Sequence, residues 1–171
     1  MMYDTGNYSS ELCLPGGGTS SRPKAVPKAV AQYSSSDTVV LDASTPTTVT
    51  FDATPFQRGI VPITYSEFKV TTAGVYLLWA EVMIGHEAGS IIPGHKANSW
   101  FTVNDVPVAG TGGHLRGLSL AEAGIIAQAV VQLAAGDKIK LRLAGIKAQM
   151  EPFNQPGIPA APAASMTIQE I

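Results

Sequence analysis

From Phe68 to Ile84 the chain reads FKVTTAGVYLLWAEVMI, with apolar residues on both sides of what alternation makes a long strand. Successive strand residues point to opposite faces, so Tyr76, Leu78, Ala80, Val82 and Ile84 share one side, and Val75, Leu77, Trp79, Glu81 and Met83 the other. The first side is wholly apolar and predicts a face packed on a second sheet. The other is too apolar for water and, with its carboxylate, too polar for a sealed core. It predicts a face covered by a second subunit. The same asymmetry returns where Ile125, Ala127, Ala129, Val131 and Leu133 oppose Ile126, Gln128, Val130 and Gln132. By contrast, Ile139, Leu141 and Leu143 alternate with Lys138, Lys140 and Arg142, which predicts an outer strand with one wet face.

Short strand signals separated by turn residues fill most of the remaining chain, a rhythm that predicts an all-β sandwich. Candidate strands are Ala29 to Tyr33, Thr38 to Leu41, Thr47 to Phe51 and Ile63 to Val70, with Pro55 and Gly59 as interruptions. Ala73-Gly74 reads as the turn into the central strand, with Gly74 free to take a positive φ. His86 to Ala97 reads as a loop, Ser99 to Val103 as a strand, Asn104-Asp105 as a turn, and Val106 to Ala109 as a segment pairing back. Gly110 to Gly117, with four glycines, reads as loop. Leu118 to Gly124 fits helix or strand, the Ile-rich continuation favouring strand. Ala134 to Asp137 turns the chain. Gly145 to Ala164, with four prolines, reads as a long surface connection around Phe153. Ser165 to Ile171 is a terminal strand, expected to be clamped within a sheet because free ends of this kind fray.

Residues 1–36 differ from the 37–171 domain. Gly16-Gly17-Gly18, Pro15, Pro23, Pro27 and many serines leave no sustained period, so the segment cannot build its own core. It reads either as a disordered linker or as an extended arm that orders on a partner. In the second reading Tyr3, Tyr8, Leu12 and Leu14 are the anchors, and Arg22, Lys24 and Lys28 reach acidic surface.

The chain has 171 residues, 45% of them hydrophobic, enough for one domain with a real core. Charged residues are sparse at 14%, which favours burial against partners. A net charge of -2 gives no electrostatic reason to expect nucleic acid or an anionic membrane as ligand. With Cys13 alone, no disulfide forms within the chain, and the fold must hold by burial. Neither a signal peptide nor a membrane span is expected from the sequence.

No catalytic, cofactor or metal site is expected. His86, His95 and His114 fall in loop regions and match no closed ligand spacing. No G-x-S-x-G elbow occurs, and Cys13 lies in the arm. The Gly110-Thr111-Gly112-Gly113 run lacks the following helix that a phosphate cradle uses.

Phe68, then after five residues Gly74-Val75-Tyr76-Leu77-Leu78-Trp79, resembles the signature of the tumour-necrosis-factor and complement-globular-head superfamily. VVQLAAGDKIKLRL, from Val130 to Leu143, is similar to the last hairpin of that superfamily. The resemblance implies a two-sheet antiparallel jelly roll and a compact homotrimer. Its trimer face would carry Leu77, Trp79 and Glu81 with Ile126, Gln128, Val130, Gln169 and Ile171. Without a collagen-like repeat, anchor or secretion signal in this sequence, receptor signalling is not what the likeness leads to. The resulting expectation is a virion structural protein, assembled in a host cytoplasm, whose trimeric heads and N-terminal arms cement a bacteriophage capsid by binding the major capsid protein or another virion protein. The alternative is a fibre or spike knob that recognises a host-surface ligand through the 86–97 and 110–117 loops.

Overall fold

A computed structural model describes residues 28–86, 96–116, 123–154, 156–157 and 159–171. In chain order the strands are β1 (Val30–Ser35), β2 (Val39–Val40), β3 (Thr47–Thr48), β4 (Ala53–Arg58), β5 (Ile60–Thr64), β6 (Glu67–Val70), β7 (Gly74–His86), β8 (Lys96–Val103), β9 (Val106–Pro107), β10 (Gly113–Arg116), β11 (Ala123–Leu133), β12 (Lys138–Ile146), β13 (Ala148–Met150) and β14 (Ala164–Glu170). They form two antiparallel seven-stranded sheets. In the first, β7 is flanked on one side by β11 and on the other by β13 and β14, and the sheet continues through β1 to β4. The second runs β10-β8-β12-β6-β5, with β3 on β12 and β9 on β8.

The alternation of β7 sets the core. Tyr76, Leu78, Ala80, Val82 and Ile84 are all buried, and from the opposite sheet Phe101, Ile139, Leu141 and Leu143 are buried too. At the β1 end the core is aromatic. Tyr33 lies 4.0 Å from Phe68 between ring centroids, and Phe51 meets Phe68 edge-on at 5.7 Å, a geometry that matches ring quadrupoles. The Tyr33 hydroxyl has no hydrogen-bond partner among the described residues, and burial pushes its phenol up to about 12.

Two turns are tied together at one end of the sandwich. Asn104 and Asp105 both adopt positive φ, 51° and 65°, and close the β8–β9 hairpin. Asn104 donates through Nδ2 to Asp137 Oδ1 at 2.8 Å and accepts from the Lys138 amide, while Asp137 Oδ2 accepts from the Ala134 amide. The turn expected at 134–137 is therefore braced by the turn expected at 104–105. The terminal strand is clamped as expected, since β14 lies between β7 and β1.

Several expectations need correction. Gly74 does not have a positive φ; it opens β7, where an added Cβ would meet the Glu170 side chain at 3.2 Å. The strand expected from Ile63 to Val70 is two strands, β5 and β6, hairpinned about Tyr65-Ser66. Gly113 to Arg116 is strand β10 rather than loop, and Gly113 lies so close to β11 that a Cβ there would come within 2.2 Å of the Ile126 carbonyl oxygen. The Gly145 to Ala164 connection contains β13, whose Ala148 and Met150 are buried in the first sheet. Val30 to Ser35, counted with the arm, is β1 of the first sheet, with Ala31 and Tyr33 in the core. Leu118 to Glu122 lies outside the described residues.

Candidate functional site

The outer face of the first sheet gathers the trimer-face residues that the sequence proposed. Register places Glu81 between Ile126 and Ser165, Trp79 between Gln128 and Thr167, and Leu77 between Val130 and Gln169. The Ile171 amide donates to the Val75 carbonyl at 2.9 Å, which carries the third strand of this patch past the end of β14. All eight named residues thus lie on three adjacent strands. The face extends over β1 and β4, where Gln32 pairs with Thr167 on one side and Phe56 on the other.

Its surface is poor in charge and unevenly filled. Val130 is 61% exposed, Ile126 51% and Ile171 52%, while Trp79 and Leu77 are half-buried among them. A shallow hollow of about 220 Å³ lies over Leu77 between Gln128 and Val130. A second, of about 140 Å³, lies beside Glu81 and Met83 against Ala161 and Pro162. On the outward positions of β7, β11 and β14 from Leu77 to Met83, the one charged side chain is Glu81. Its carboxylate reaches across Gly124 on β11, where a Cβ would meet Glu81 Oε1 at 2.8 Å.

The opposite face of the sandwich has another chemistry. Glu67 on β6 meets Lys138 at 3.1 Å and Lys140 at 2.8 Å, and Lys140 also holds Asp105 at 2.7 Å. The Lys140 ammonium, with Lys138 after it, keeps the Glu67 carboxyl below the usual carboxylate range, and Lys140 does the same for Asp105. Reciprocally, Asp105 and Glu67 push Lys140 up.

Among the described residues, no three His, Cys, Asp or Glu side chains converge as a metal site would require. His114 is exposed on β10. His86 ends β7, and His95 and Cys13 lie outside the described residues. Within the Gly110 to Gly113 run one side chain turns inward. Thr111 is buried, donating to the Val108 carbonyl and accepting from the Phe101 amide. Of the proposed arm residues, Tyr3, Tyr8, Leu12, Leu14, Arg22 and Lys24 lie outside the described residues. The Lys28 carbonyl accepts a bond from Arg58 Nε.

Sequence reasoning missed an apolar hollow at the far edge of the sandwich, between β4 of the first sheet and β5 of the second, because it is assembled from separate segments around Phe51, Ile63 and Tyr65.

With both sheets and this face defined, solved structures give the fold a context. A crystal structure of murine APRIL at pH 8.0 matches with a TM-score of 0.57 and 14% identity, covering 85% of this chain and 100% of that one. The globular domain of zebrafish complement 1qA protein matches with a TM-score of 0.54 and 14% identity, covering 84% and 96%. The fold is a tumour-necrosis-factor-like jelly roll. No family model matches the chain, and no curated protein matches it. At 14% identity the likeness extends to the fold.

Proposed function

We propose that this chain forms a homotrimer through the outer face of its first sheet, and that the trimeric head serves as a structural and binding module rather than as an enzyme. The observation that carries the reading is the setting of Trp79. A large indole stands in mid-face, between two shallow hollows, on a three-strand surface with a single charge near it. Apolar patches of this kind on a soluble domain mark interaction sites, and aromatic side chains are enriched at interface cores. A copy related by symmetry offers Val130 and Ile126 as projections and the two hollows as recesses. The jelly-roll likeness supports the same assembly.

The finer reading is decoration of a virus capsid, with the head on the outside of a particle and the major capsid protein beneath it. Support comes from the sparse charge, the lack of an intrachain disulfide and the Pro/Gly-rich segment ahead of the fold. A head that must bind a repeating surface gains from being trimeric, because linked contacts can each be modest.

Sedimentation and tryptophan quenching of the purified chain test the first level. A stable trimer with Trp79 shielded from quencher is expected; a single subunit at micromolar concentration with an accessible indole overturns it. Imaging on purified particles tests the second. Density at regular capsid positions in hundreds of copies is expected, whereas a few copies at a fibre tip would replace decoration with the host-binding knob.

A further inference from the structure

The edge of the sandwich farthest from β11 is formed by β4 and β5, one from each sheet. Between them the chain crosses at Gly59, whose φ of 70° and close approach to Ala29 leave no room for a side chain. Beyond this corner the two strands part around a hollow of about 260 Å³ lined by Phe51, Thr54, Pro62, Ile63, Tyr65 and Phe68. Its rim is unusually apolar for an edge. Ile63 is 44% exposed and Tyr65 73%, whereas the floor residues Phe51 and Phe68 are buried against Tyr33.

Such an edge invites either an added strand or an inserted side chain. Addition of a strand is disfavoured, because Pro55 in β4 and Pro62 in β5 remove backbone donors where a ladder would need them. Side-chain insertion remains, and an aromatic residue with a polar tip suits an apolar hollow bordered by threonine hydroxyls.

The position of Lys28 points to the occupant. Its carbonyl accepts a bond from Arg58 at 3.0 Å, so the described chain begins beside the corner that joins β4 to β5. Pro62 lies three residues past Gly59, about 10 Å along β5. Leu14 is fourteen residues before Lys28, and an extended chain covers about 3.3 Å per residue, or roughly 45 Å in all. Tyr3 and Tyr8 lie farther out, so they reach the hollow of their own head or of an adjacent copy. We infer that the segment from Tyr3 to Leu14 docks at the β4–β5 edge and seats a tyrosine side chain in the hollow. This stands apart from the trimer and the particle readings, since it concerns another edge of the fold.

Cys13 provides the probe, because the chain's one thiol lies between Leu12 and Leu14. A nitroxide attached to Cys13 of the full chain should broaden the amide signals of Val61, Ile63, Thr64 and Tyr65 while sparing those of Asn98 and Thr102. Mixing unlabelled-isotope spin-labelled chains with isotope-labelled chains lacking the nitroxide tells whether the docked segment belongs to the same head or a neighbour; either outcome supports docking. Tyr3→Ser with Tyr8→Ser, and separately Ile63→Asp, should each abolish the broadening without changing the far-edge signals. Absent or evenly spread broadening in the unmutated protein overturns the inference, as does broadening that survives the tyrosine substitutions. Docking within one head gives this broadening whether or not the trimer forms, so the two proposals fail separately.

Discussion

The two outward faces of this sandwich are built by the same alternation and finish with opposite chemistry. On the second sheet, Glu67 forms ion pairs with Lys138 and Lys140, and Lys140 pairs in turn with Asp105. On the first, the corresponding outward positions of β11 are Ile126, Gln128 and Val130, and those of β7 are Leu77, Trp79 and Glu81. Water is a good solvent for the first set and a poor one for the second. The contrast supports the proposed assembly surface, since a charge-poor face with exposed Val130 and Ile126 is better covered than left in water.

The strongest way to break this contrast is to make both faces wet. Val130→Asp would place three additional carboxylates in a trimer interface, where each buried ion costs several kcal/mol. Sedimentation should show a folded monomer, whereas Lys140→Asp on the opposite face should leave the assembly state unchanged. Trp79→Ala follows, with a loss of about 1.5–3 kcal/mol per subunit from apolar burial. It should weaken association more than it lowers the unfolding midpoint of the dissociated chain, as dilution series and urea titrations would show.

Gly113→Ala tests whether the edge beside that face is as tightly built as the 2.2 Å between an added Cβ and the Ile126 carbonyl oxygen implies. Overpacking of this kind costs about 1–3 kcal/mol, and urea denaturation should record it. The smallest effect belongs to the wet face. Because Glu67 and Asp105 are held below their usual ranges by Lys140, their contribution is present above the ordinary carboxylate values and is lost as pH falls through the lowered ones. The raised Lys140 contributes below the ordinary lysine value and loses this as pH rises through its own. Lys140→Met should therefore flatten the stability profile slightly between about pH 5 and pH 3 and again above about pH 10. Thermal melts across that range would register the change.

Strong alternation made the centre of the fold legible. Tyr76 to Ile84 identified the inward side of β7, Ile139 to Leu143 that of β12, and the two mixed faces pointed to one surface before any register was available. The edges were harder, for physical reasons. In β4, all six residues are exposed, so no inward period exists for a reader to find, and Pro55 argues against a strand. Gly113 in β10 looks like a loop residue because its role is to be small next to another backbone. β13 is three residues long in a proline-rich stretch. The adjacency of Trp79 to Gln128 on one side and Thr167 on the other depends on pairing register between residues far apart in the chain, information that local pattern does not carry.

One consequence follows from the place of β14. Val30 pairs with Gln169 and Ala31 with Ile168, so β1, although made early, waits for a principal neighbour that is synthesised long after it. Until then β7 and β1 have no strand between them, and the half-built sheet exposes two sticky edges. Synthesis interrupted before residue 164 should yield a species that recruits chaperones or is degraded, which makes β14 a check that a chain stopped short of it cannot pass.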